Sequence, residues 1–259
     1  MSKKIHGQCK LCLEQTDLIQ SHIIPELFYK SLYEKDTHKF ITMSTDTDRN
    51  ISLHQKGLRE HLMCSRCDGN IIGKYDTYIA KWLSQHTENT FKQSRTTLFK
   101  NEDYRLFRLF HLSLLWRFHI AESNLYNAVD LGENAEVIRK MLLNGNPGEA
   151  NFYPCIMIIP HKTNKILAGG IICPGPEPTG TNEFPMCRIM AAGFLWIWFM
   201  LPDANGHPLL EAYIKPNGSM QIIKGPPKFT DKIKNDLIEI NLATYKAPNA
   251  HKLNDWGFE

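Results

Sequence analysis

The chain has 259 residues, of which 42% are hydrophobic and 22% charged, with a formal net charge of +3. That size and balance suit one or two globular domains with a real core, and the charge is too small to imply nucleic acid by itself. The longest apolar run, IMAAGFLWIWFML at 189–201, is shorter than the roughly 20 residues of a membrane helix, so buried strands are the better reading.

The opening MSKKIHGQCK is basic with no apolar run behind it, which gives no signal peptide. A cytoplasmic location is expected, where seven cysteines do not form disulfides. The first 100 residues carry 15 Lys+Arg against 11 Asp+Glu, and the remainder 15 against 16. The mild basic excess is therefore N-terminal, permissive of a phosphate-bearing partner and no stronger than that.

Four cysteines fall in two pairs, Cys9/Cys12 and Cys64/Cys67. Each Cys-x2-Cys makes a tight turn that aims two thiolates at one ion, and two pairs complete a tetrahedral zinc shell. A redox role for either pair would call for a βαβ setting that is absent. Cys155, Cys173 and Cys187 stand singly in apolar segments and read as core.

Between the pairs lies QSHIIPELFYK at 20–30, where His22 alone reads as a polar residue entering a helix. After the second pair, Ile71, Ile72, Tyr75, Ile79 and Trp82 recur at helical spacing, predicting a helix from Asp68 to about Leu83. A knuckle, an intervening hairpin region and a helix carrying the last two cysteines is the treble-clef arrangement. The polar stretch 84–97 reads as a linker.

Residues 104–123 are apolar on nearly every face apart from Arg105, Arg108 and Arg117, which predicts a buried central helix. A second helix is predicted over 133–143, ended by NGNPG. From residue 152 onward β-branched and aromatic runs alternate with Pro, Gly and Asn, and KPNGS at 215–219 is a hairpin turn. Consecutive aromatics in GFLWIWFM read as core rather than as a base-stacking platform. The chain closes on a helix-like segment, 229–246. The expected organisation is α+β: a zinc domain over 1–83, a linker over 84–103, and an α+β domain over 104–259 with a buried helix and a mainly antiparallel sheet.

Taken in order, CKLC, SHIIP, Asn50 in DRNISL, and HLMCSRCDGN resemble the zinc-containing HNH (His-Me finger) endonuclease family, over residues 7–80 only. The resemblance implies phosphodiester hydrolysis, of DNA first, with one divalent metal, Mg²⁺ or Mn²⁺. It implies His22 as general base, Asn50 as the residue that braces it, and Asp68 as a metal-binding residue at the helix start. Asp76 and, less easily placed, Glu26 and Glu60 are further candidates for the metal's acids, because Ser21 stands where the family places an acid. The structural zinc falls to Cys9, Cys12, Cys64 and Cys67. The resemblance also implies a setting in phage defence or a mobile element, with a protein partner that licenses cleavage and no membrane. The alternative is a non-catalytic zinc module that binds nucleic acid or a protein.

Overall fold

The computed structural model describes residues 5–30, 32–33, 38–42, 52–86, 96–100, 103–122, 129–159, 177–180, 185–205, 209 and 212–225. Asn50, Cys173, the apolar run at 165–174 and the expected closing helix at 229–246 lie outside them.

The N-terminal elements are β1 (Ile5–Gln8), β2 (Gln15–His22), the single turn α1 (Glu26–Tyr29), β3 (Phe40–Thr42), β4 (Ser52–His54) and β5 (Arg59–Cys64). A π-helical turn over Cys67–Ile72 then leads into α2 (Gly73–Gln85). Strands β1, β2 and β5 form an antiparallel sheet in that order, and β3 and β4 form a separate antiparallel pair. A bulge between Ile19 and Gln20 shifts the β2–β5 register. Bulges re-aim the side chains that follow them, and here Ser21 ends fully buried while His22 is left half-buried.

The helix after the second cysteine pair begins wide. Gly73 donates its N–H to the Asp68 carbonyl, five residues back, which is the π-helical bond. A Cβ on Gly73 would lie 3.2 Å from that carbonyl oxygen, so glycine suits the turn. Beyond it, Tyr75, Ile79 and Trp82 are buried at the predicted spacing.

The rest comprises β6 (Thr96–Lys100), α3 (Tyr104–Ile120), α4 (Asn134–Asn144), β7 (Cys155–Ile159), β8 (Glu177–Gly180), β9 (Pro185–Ala191), β10 (Phe194–Phe199) and β11 (Ser219–Lys224). Six strands form one sheet, β6-β11-β7-β10-β9-β8, antiparallel except between β11 and β7. Strand β6 comes from the stretch expected to be linker.

Helix α3 starts at Asp103, whose carboxylate accepts from the Leu106 N–H at 3.0 Å, and it is buried from Phe107 to Phe118. Two of its arginines, Arg108 and Arg117, turn inward. Arg108 donates to the carbonyls of Glu149 (3.2 Å), Tyr153 (3.1 Å) and Phe152, and burial pushes its guanidinium down to about 10. Arg105 reaches the Gly145 carbonyl. Helix α4 ends on Gly145 at φ 66°, the left-handed conformation that glycine adopts without strain.

Strand β10 is buried along its whole length. Trp196 and Trp198 pack on the α3 side, Phe118 meeting Trp198 edge-on at 6.1 Å. Leu195, Ile197 and Phe199 face a second, smaller cluster with Ile156 and Met190. A strand covered on both faces reads as an unbroken apolar run. The larger cluster is contiguous from Cys9 and Leu11 through Phe28 and Ile79 to Trp196 and Ile222. Phe28 of α1 touches both Phe110 and Trp196, so the N-terminal sheet and the six-stranded sheet share one core.

The β9–β10 turn gives a stability prediction. Its two residues, Ala192 and Gly193, both have positive φ, 52° and 78°, and a left-handed Cβ residue costs roughly 1–2 kcal/mol relative to the ordinary conformation. Ala192→Asn makes the Asn-Gly pair such turns prefer and should raise stability by about 0.5–1 kcal/mol. The check is a higher urea midpoint at unchanged slope; an unchanged midpoint would refute the strain.

Candidate metal centre and histidine site

Cys9 and Cys12 lie in the tight turn between β1 and β2. There the Leu13 N–H donates to the Cys9 carbonyl (2.8 Å) and the Cys9 N–H to the Glu14 carbonyl (2.9 Å). The turn holds Leu13 at φ 65°, uncommon for a residue with a Cβ. Cys64 ends β5 and Cys67 opens the π-helical turn.

The four Sγ atoms lie within 4.8 Å of one another. A zinc tetrahedron with Zn–S bonds of 2.3 Å has edges of about 3.8 Å, so the donor set fits a tetrahedral thiophilic ion. The Cys64 N–H points at Cys9 Sγ and the Cys67 N–H at Cys64 Sγ, both at 3.4 Å, and such donors favour the thiolate. Burial, then the neighbouring sulfurs, push the Cys67 thiol far up. Thiols this enclosed lose their protons to a bound cation. Arg139 of α4 donates to the Leu11 carbonyl inside the knuckle while pairing with Glu136. These cysteines form a group that can hold a metal ion such as zinc.

His22 ends β2, opposite Arg59 of β5. Its Nε2 lies 2.6 Å from Glu26 Oε2, one helical turn onward. Glu26 also accepts from the Tyr33 hydroxyl, the Gly57 N–H (3.4 Å) and the Arg59 guanidinium (3.4 Å). Burial alone would raise the Glu26 carboxyl, but the hydrogen bonds from Tyr33 and His22 outweigh it and hold it below its ordinary value. Burial, followed by the charge of Arg59, pushes His22 below the ordinary imidazole value of 6.5, against the opposing pull of Glu26 and Asp68. The imidazole is therefore neutral at pH 7. With Nε2–H given to Glu26, Nδ1 carries the lone pair, and no hydrogen bond engages it among the described residues.

Gly57 lets this cluster close. A Cβ there would lie 2.5 Å from the ring of Tyr29, closer than any side chain tolerates.

The expected site residues separate. Asp68 sits in the helix's first turn, its charge felt at both His22 and Asp76, and its carboxylate has no protein partner among the described residues. Asp76 is committed: its two oxygens accept from Arg117 at 3.0 and 2.8 Å, which removes it from the free ligands. Glu60 accepts from the Glu122 N–H at 2.7 Å. Ser21 is wholly buried with its Oγ unpartnered. His54 stacks on Phe40. Among the described residues the four cysteines are the one group of three or more candidate ligands that converges.

Two contributors were harder to see in the sequence. Glu26, named there only as a spare acid, braces His22, and the signal was its i,i+4 spacing across Pro25. Arg117 also donates to the His22 carbonyl at 3.3 Å, and nothing local announced that partner. No family model matches the chain, and no curated protein or solved structure does.

Two measurements check this chemistry. Zinc analysis of the purified protein should find about one equivalent, with Cys64→Ser losing most of it; undiminished zinc in the variant would refute a four-cysteine site. Arg117→Met strands a carboxylate that is mostly enclosed and should cost about 3 kcal/mol, whereas Arg117→Met with Asp76→Leu should recover much of the loss. A double variant no more stable than the single would mean that the ion pair is not what Arg117 supplies.

Proposed function

We propose that this chain is a metal-dependent nuclease of the zinc-containing HNH type, hydrolysing phosphodiester bonds of DNA. The observation that carries the reading is the half-buried His22 at the end of β2, held through Nε2 by Glu26 at 2.6 Å. It lies beside the helix start that bears Asp68. In this reading β2, β5 and α2 are the ββα element of a treble clef, and the cysteine cluster is its structural zinc.

Hydrolysis needs a base to take a proton from water. Nδ1 of His22 accepts that proton, and the Glu26 carboxylate stabilises the resulting imidazolium and fixes the ring. Tyr33 and Arg59 in turn hold Glu26. A divalent ion such as Mg²⁺ or Mn²⁺ would be held by Asp68 and would neutralise charge on the phosphoryl and leaving oxygens. One unpartnered carboxylate fits such an ion, because Mg²⁺ is commonly bound by one or two carboxylates and keeps several waters.

A second reading is a zinc module that binds nucleic acid or a protein without cutting. It is favoured by Ser21, a neutral buried residue where a metal-binding acid would stand, and by the commitment of Asp76 to Arg117.

Plasmid cleavage with added Mg²⁺ or Mn²⁺ decides between them. His22→Ala should lower the rate by at least about 100-fold, and equal activity in the two proteins would sink the assignment. The pH profile is a second check. A base whose pKa lies below 6.5 keeps full activity at neutral pH and loses it as the pH falls through that pKa. Because Glu26 raises the His22 pKa, Glu26→Gln should move the acid limb to lower pH while reducing kcat.

A further inference from the structure

An open cavity of about 430 Å³ is lined, among the described residues, by Lys39, His54, Gln55 and Lys56. Its position is fixed by the strands that frame it. Lys39 precedes β3, and His54 closes β4, paired in register with Phe40. Phe40 is buried and stacks on the His54 ring at 5.5 Å. It also packs against Tyr29 at 5.3 Å and Tyr33 at 5.7 Å. Tyr33 donates to Glu26. Lys56 is the residue before Gly57, whose N–H reaches Glu26. Tyr33, Phe40 and Gly57 therefore connect the residues that line the cavity to Glu26.

Its chemistry is one-sided. Among the described residues the lining offers two ammonium groups, an imidazole and an amide, with no carboxylate among them. Neither lysine has an ion-pair partner among the described residues. Cations left unpaired around one concavity favour an anion, and the cavity's openness to solvent favours one that arrives as part of a longer chain over one that must be enclosed.

We propose that this cavity seats a backbone phosphate of the DNA strand next to the one presented to His22, so that Lys39 and Lys56 set the strand's register on the base. The inference rests on the nuclease reading for its substrate, but it concerns binding and can be tested without cleavage. Phosphate contacts of this kind position a duplex and carry no sequence information. The contribution of the two lysines is consequently electrostatic and salt-dependent.

The experiment measures anisotropy of a short fluorescein-labelled DNA duplex over a salt series. It compares the zinc-loaded full chain with Lys56→Gln and Lys39→Gln/Lys56→Gln. Each lysine removed should make the slope of log K against log salt shallower by about 1, equally for duplexes of different sequence. Lys56 is exposed, so the single variant reads the effect even if the double variant folds poorly. An unchanged slope in both lysine variants overturns the proposal, whether or not the wild type cuts plasmid. So does the absence of DNA binding by the wild type, or saturation of the cavity by inorganic phosphate with no gain for the duplex. If instead the wild type binds with the expected slopes but never cuts, the cavity stands and the nuclease reading fails.

Discussion

Arg117 is 1% exposed, and the folded chain depends on how its charge is met. A guanidinium taken out of water costs several kcal/mol unless a counter-charge and further acceptors surround it. Here the acceptors are Asp76 on α2, the carbonyl of His22 at the end of β2, and Ser113 one turn back on α3. One of the two buried charges on α3 is thus the one that ties it to the N-terminal sheet and helix. Because one of its bonds goes to the backbone of His22, the position of that imidazole is set partly by a helix almost a hundred residues further along the chain.

The other constraints on His22 come from separate sources and agree. The cysteine cluster pins the β1–β2 turn to the junction of β5 and the helix, which fixes how β2 lies on β5. The bulge after Ile19 then decides which of Ser21 and His22 faces the core. Glu26, supported by Tyr33, Gly57 and Arg59, fixes the ring itself. A side chain held at its backbone, its strand register and its ring nitrogen keeps little freedom of its own, which is the preorganisation that the proposed role as a base would require.

The features legible in the sequence were those whose causes are local. Two Cys-x2-Cys pairs are short turns, the all-round apolar pattern of 104–120 has no reading except burial, and Trp196 and Trp198 in an unbroken apolar run belong to a strand covered on both faces. The pairing of Asp76 with Arg117 was invisible because it joins positions 41 residues apart whose neighbours give no hint of each other. Strand β6 was hidden for a different reason: Thr96 and Thr97 at the edge of a sheet look as polar as the linker around them. The wide first turn of the helix was likewise unreadable, since an i→i+5 bond leaves the apolar spacing of Tyr75, Ile79 and Trp82 intact.

Ser21 is the residue at which these lines meet. Read alone, a serine where a carboxylate is expected suggests a weakened metal site. In the fold its position is dry, and an ionised acid there would need a counter-charge that Arg117 has already given to Asp76. The two observations are linked by charge balance: with Asp76 neutralised by Arg117 and Glu26 bound to His22 and Arg59, Asp68 has no cationic partner among the described residues. A dication drawn to this corner would therefore meet one free carboxylate and solvent rather than a closed cage. It would be bound weakly and exchange readily, whereas an ion held by the four cysteines would meet four converging sulfurs.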